Sequence, residues 1–219
     1  MNEQDTSIIN DASPFEQLKN IFQIFLGPAN NTHSSNEYDP AIPQPMREVY
    51  ALYDNLPASK YKEKLFIQQD RLIFPEHLDL TATPFEFIEE NSGNWYLFVN
   101  RGDDNSQVYI NNFEGESTKE LFPVTVPLTE LLITYTLQEL TFSLDEISYG
   151  YWWTIDKLGQ KFSSIKPIWI NKSYEYNDSS YSFYLLDDDF IYMEAMGDIF
   201  ITTINPDKAE LLNFLEHPK

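Results

Sequence analysis

The chain has 219 residues, 42% of them hydrophobic and 16% aromatic, with 14 Lys+Arg against 35 Asp+Glu and a formal net charge of −21. So aromatic a composition excludes a disordered polyampholyte and predicts a globular protein. The charge argues against a basic stripe that would bind nucleic acid, and the lack of cysteine excludes disulfides, thiolate nucleophiles and Cys-based zinc sites.

Ser13-Pro14-Phe15-Glu16 predicts a helix start, with Ser13 and Glu16 in capping-box position and Phe15, Leu18, Phe22 and Phe25 at helical spacing until Gly27-Pro28. A polar loop over 29–41 follows. A second helix is expected from Pro43 or Pro45, with Met46, Val49, Tyr50 and Tyr53 on one face and a stop at Asn55-Leu56-Pro57. From 65 to 126 the pattern becomes strand-like, with runs at 65–67, 72–74, 85–88, 95–99 and 108–110 separated by turn-rich stretches at meander spacing. Pro127-Leu128-Thr129-Glu130 opens a third helix carrying Leu128, Leu131, Leu132, Tyr135 and Leu140. Further strands are predicted at 151–153, 168–170, 181–186, 190–193 and 199–203, and a final helix from Asn205-Pro206 with Leu211, Leu212 and Leu215 inward. The expected class is α+β: a largely antiparallel sheet flanked by helices, in a single domain over 1–219 whose C-terminal part, 148–219, extends the sheet.

The acidic N-terminus MNEQDTSIIND has neither a basic n-region nor an apolar h-region, and no run reaches roughly 18 apolar residues. The expectation is a cytoplasmic protein without a membrane partner. His33, His77 and His217 have no partner at ligand or triad spacing, and the seven glycines lie too far apart for a phosphate-binding loop. Asp187, Asp188 and Asp189 lack the alternating Asp spacing, glycine and distal Glu of a calcium loop, so they read as an acidic hairpin turn. No catalytic residue, metal site or cofactor is therefore expected.

The distribution of acids says more than any one of them. Between Gly102 and Asp156 only Lys119 is basic, against Asp103, Asp104, Glu114, Glu116, Glu120, Glu130, Glu139, Asp145, Glu146 and Asp156. Between Ser173 and Asp207 no basic residue faces Glu175, Asp178, Asp187, Asp188, Asp189, Glu194, Asp198 and Asp207. If these stretches share a face, their field steers a basic protein partner, while plain solubility is the simpler account. Trp152 and Trp153 are adjacent, so in a strand they point to opposite faces and one can serve as an interface anchor.

Several of these features, in order, resemble the SUKH superfamily of bacterial immunity proteins. Ile42-Pro43 before Met46-Arg47-Glu48-Val49-Tyr50 is similar to the family's Leu-Pro ahead of a helix with a buried aromatic. The segment 85–96, with Glu89-Glu90-Asn91-Ser92-Gly93-Asn94-Trp95, resembles its strand, turn and re-entry on Trp, with Ser92 where the family usually has Gln. Asp104 to Val108-Tyr109 is similar to its Asp-Pro-x-Val step without the Pro, and Leu128-Thr129-Glu130-Leu131-Leu132 to its closing helix. The resemblance covers 42–142. It implies a non-enzymatic cytoplasmic binder that neutralises a cognate toxin, often a nuclease. Asp103, Asp104, Glu114, Glu116, Glu175, Asp187, Asp188, Asp189, Trp152 and Trp153 are the expected contact residues for a basic toxin, and Glu89, Asn91 and Gly93 are expected to serve the hairpin. Two alternatives are an adaptor that binds a cellular partner through Trp152, Trp153 and Trp169, and a hydrolase with no visible nucleophile and base.

Overall fold

The computed structural model describes residues 7–112, 120–144, 146–149, 155–173, 180–205 and 207. Helix α1 (Pro14–Leu26) starts at the expected proline and buries Leu18, Ile21, Phe22 and Phe25. Ser13 forms no capping box with Glu16; its hydroxyl accepts from Gln17 Nε2 at 3.3 Å, and Gln17 Oε1 accepts the Asn10 N–H at 2.6 Å. Helix α2 (Gln44–Asn55) buries Met46, Val49 and Tyr50. Its last residue pins the preceding polar loop: Asn55 Oδ1 accepts the N–H of Thr32 and His33 at 2.7 and 2.9 Å, while its Nδ2 donates to the carbonyls of His33 and Ala51, both at 2.8 Å.

The run 65–67, expected as a strand, is instead the exit of a short helix α3 (Lys60–Lys64). Leu65 donates its N–H back to the Tyr61 and Lys62 carbonyls and Phe66 turns at φ 68°, so both side chains are buried from a turn. A first sheet follows, an antiparallel meander in the order β1 (Asp70–Leu72), β2 (Phe85–Glu90), β3 (Trp95–Val99), β4 (Val108–Asn112) and β5 (Phe122–Pro123). Alternation puts Phe85, Leu97, Val99, Val108 and Ile110 inward, and a register shift between Glu86 and Ile88 lets Phe87 and Ile88 both be buried.

The α+β class is as expected, but the later strands do not prolong this sheet. They form a second antiparallel sheet in the order β6-β10-β9-β8-β7, from β6 (Glu146–Tyr149), β7 (Ile165–Ser173), β8 (Ser180–Leu186), β9 (Phe190–Ala195) and β10 (Asp198–Thr203). Its outer face is covered by helix α5 (Ile155–Leu158) and the turn after it, where Leu158 and Phe162 pack on Leu186, Phe190, Tyr192 and Ile201. The predicted strand at 151–153 and most of the predicted final helix lie outside the described residues. Among the described residues no helix is long and apolar enough to cross a membrane.

The reason for two sheets is helix α4 (Leu128–Ser143). A single apolar face was expected, yet Ile133, Thr134, Thr136, Leu137, Gln138, Glu139 and Thr141 are buried as well. Such a helix cannot lie on a surface. It runs through one continuous core that includes residues of α1, α2 and both sheets. Several of its polar groups are answered inside that core: Thr134 and Thr141 donate to the carbonyls of Glu130 and Leu137, Trp169 Nε1 donates to Thr134 Oγ1 at 2.9 Å, and Tyr135 donates to the Asp70 carbonyl at 3.1 Å, whereas the buried Thr136 hydroxyl finds no partner among the described residues.

Glu139 is 0% exposed. Its carboxylate accepts three successive backbone N–H groups of the chain entering β1, Gln68 at 2.9 Å, Gln69 at 2.9 Å and Asp70 at 3.1 Å. Burial still raises its pKa above the ordinary 4.5, outweighing the N–H groups that lower it. The folded chain thus binds this proton more tightly than the unfolded one, so the contribution to stability is fully present below pH 4.5 and lost as pH rises through the raised folded value.

Glu139→Ala strands three N–H groups and is expected to cost about 3 kcal/mol, with Glu139→Gln costing about half as much because one oxygen still accepts. In urea titrations the advantage of the wild type over Glu139→Gln should widen as pH falls from neutrality toward 4.5. Equal costs for the two variants would refute the assignment.

Candidate functional site

The entry to β1 that Glu139 holds is also a wall of a cleft between the two sheets, of about 310 Å³. From the first sheet come Gln69 and Asp70 on one side and Glu90 and Trp95, flanking the β2–β3 turn, on the other. Helix α4 supplies Gln138 and Phe142 as the floor, and the second sheet closes it with Met193, Met196, Asp198 and Phe200.

Each part is placed by local chemistry. In the β2–β3 turn Gly93 takes φ 70°, and Glu90 accepts the N–H of Ser92 and Asn94 at 2.9 and 3.0 Å. Asn91 ties that turn to the neighbouring wall, donating its N–H to the Gln69 carbonyl at 3.2 Å and its side-chain amide to the Gln68 carbonyl at 3.3 Å. Glu89 forms an ion pair with Arg71 on β1. The expected hairpin roles of Glu89, Asn91 and Gly93 are therefore physical contacts. Asp70 is 5% exposed and accepts from Gln138 Nε2 at 3.5 Å, while Phe142 meets Phe200 edge-on with centroids 5.0 Å apart.

The β9–β10 turn is tighter. Ala195 pairs with Asp198, leaving Met196 and Gly197 as the two turn residues at φ 54° and 85°. Both central residues of such a turn need positive φ, which favours Asn-Gly. Met196 instead holds an unbranched apolar side chain, 60% exposed, at the mouth of the cleft.

No Lys, Arg or His is among the described residues that line the cleft, and three carboxylates are. Among the described residues no group of three or more His, Cys, Asp or Glu could hold a metal ion. The site therefore suits an extended organic cation with a flat or apolar surface.

The expected contact residues that the structure describes, Asp103, Asp104, Asp187, Asp188 and Asp189, are not among those that line this cleft. Asp104 Oδ1 accepts the N–H of Gln44 at 2.6 Å, the first residue of α2, and stands 3.9 Å from Arg47, so it caps a helix whose own preceding residue is Pro43. Asp103 accepts the N–H of Asn105 at 3.0 Å within its own turn. Asp187 and Asp188 do occupy the β8–β9 turn, at φ 50° and 59°. There Asp187 Oδ1 accepts from Ser163 Oγ and from the Ser164 N–H at 2.8 and 2.7 Å, and Asp188 pairs with Lys166 at 2.8 Å. Asp189 donates its N–H to the Leu186 carbonyl at 3.1 Å. Among the described residues the acids of the first stretch are spread over the β3–β4 loop, the approach to β5, α4, β6 and α5, those of the second over β8 to β10 and the residues after it, and Glu139 leaves the surface altogether. Glu114, Glu116, Glu175, Trp152 and Trp153 lie outside the described residues. Trp169 is 3% exposed and belongs to the core.

The cleft itself was not foreseen. Its one local signal was Trp95 beside the Asn-Ser-Gly-Asn turn, and nothing in the order of residues brings that turn to Asp198. No protein-family model, curated protein or solved structure matches the chain.

Asp104→Ala should lower stability by about 1 kcal/mol, the usual worth of a cap, while Asp103→Ala stays within about 0.5 kcal/mol. Met196→Asn should raise it by about 0.5–1 kcal/mol by relieving the left-handed backbone. Thermal melts of the three variants check both expectations.

Proposed function

We propose that the protein is a non-enzymatic cytoplasmic binder that neutralises a basic protein partner, the immunity role that its SUKH-like sequence features imply, with a toxin domain as that partner. The observation that carries this reading is a cleft between two sheets lined by Asp70, Glu90 and Asp198 and, among the described residues, by no cation, in a chain of net charge −21. A negative field of that size accelerates encounter with a basic protein and disfavours acidic ones, and the aromatic and thioether walls supply contact area once water leaves.

Two carboxylates of the β8–β9 turn, already engaged with Ser163, Ser164 and Lys166, contribute to the field more than to contact. Their worth is in the association rate, which mutation of an outlying charge typically changes.

The test is capture of partners from the source cells, followed by expression of each captured protein alone and together with this chain. The expected result is a basic protein, toxic alone and rescued by co-expression, that binds 1:1 with an association rate falling at least tenfold between low and physiological salt. Reversal of Asp187, Asp188 and Asp189 to Lys should slow association and leave dissociation nearly unchanged. A non-toxic partner with salt-independent binding would overturn the reading in favour of an adaptor.

A further inference from the structure

We infer that the cleft between the sheets is the docking site for an arginine side chain of the partner protein, a reading that rests on the binding role proposed above. Charge selects a cation: Asp70, which accepts from Gln138, and Glu90, which accepts from its own turn, come from the first sheet, Asp198 from the second, and no basic residue is among the described residues that line the space. Shape selects the kind of cation. Among the described residues the carboxylates do not form a group able to hold a metal ion, and the same cleft is lined by Trp95, Phe142 and Phe200. A guanidinium is planar, weakly hydrated, stacks on aromatic faces and presents a fork of donors to carboxylates, whereas an ammonium is compact and strongly hydrated. The volume of about 310 Å³ holds a side chain with its flanking backbone rather than a whole folded segment.

Met196 adds an independent indication. An unbranched apolar residue sits in left-handed backbone where Asn or Gly is preferred, and it is 60% exposed at the rim. A flexible thioether there can fold over the methylene stem of an inserted arginine, which Asn cannot do. Stability and binding are then set against each other at this position.

The test uses the full chain and acetyl-Gly-Arg-Gly-amide as probe, followed by NMR at the Trp95 indole, the Gln138 side-chain amide and the Met196 methyl. Saturable shifts at these three groups are expected with a dissociation constant of about 1 mM, weaker binding of the lysine peptide and none of the citrulline peptide, which keeps the shape without the charge. Asp198→Asn should weaken the arginine peptide about tenfold, the worth of one charge-assisted contact, and Met196→Asn should weaken it while raising the melting temperature. Equal binding of citrulline, shifts confined to other parts of the chain, or saturation by spermidine with none by the peptide would each overturn the proposal, the last by making a free polyamine the occupant. With the basic partner in hand, Asp198→Asn should speed dissociation and leave the salt dependence of association intact. Unchanged dissociation overturns the arginine site alone, whereas the absence of any basic protein partner overturns the binding reading itself.

Discussion

The carboxylate of Glu139 and the three backbone N–H groups it accepts are the constraint from which the rest of the molecule follows. A helix buried on all sides brings polar backbone of the neighbouring chain into the interior, and N–H groups at the entry to β1 would otherwise be unanswered. One side chain satisfies all three. In doing so it fixes Gln69 and Asp70, and Asn91 then fixes the β2–β3 turn against the same segment. A wall of the cleft is thus held by bonds from the core rather than by the surface, and a wall so held loses little entropy when something binds against it.

The charge of the chain divides into three uses. Glu139 is structural and internal. Asp104 and Asp187 answer backbone N–H groups, one at the start of α2 and the other beside the β8–β9 turn, so they shape loops as much as they decorate them. The acids of the cleft border a space lined by rings and thioethers, although Glu90 also answers the N–H groups of its own turn and Asp70 accepts from Gln138. A surface field acts at a distance and is screened by salt, whereas a carboxylate in a walled cleft acts at contact and with less screening. The proposed function uses both, the first for speed of encounter and the second for residence.

Much of the first half was legible because its signals are local. Pro14 and Gly27 bracket α1, Met46, Val49 and Tyr50 mark the inner face of α2, and the turn at Gly93 sits where small and polar residues interrupt two aromatic runs. Leu65 and Phe66 misled because a buried apolar pair reads as a strand whether it is extended or, as here, held in the turn after a short helix. Trp169 read as a possible anchor because a tryptophan in a strand has the same spacing whether it faces water or, as here, Thr134.

What the sequence determined by itself was the class of the fold, the helices α1, α2 and α4, the β2–β3 and β8–β9 hairpins, the absence of cysteine chemistry and the strong negative charge, all of which depend on composition or on neighbours a few residues apart. What only the tertiary structure decided was that α4 separates two sheets, that Glu139 turns inward, and that Trp95 and Asp198 face one cleft. The reason is the length of chain between the partners: Glu139 and Gln68 are 71 residues apart, and no local pattern encodes which buried helix will bridge two sheets or which acid it will carry inside.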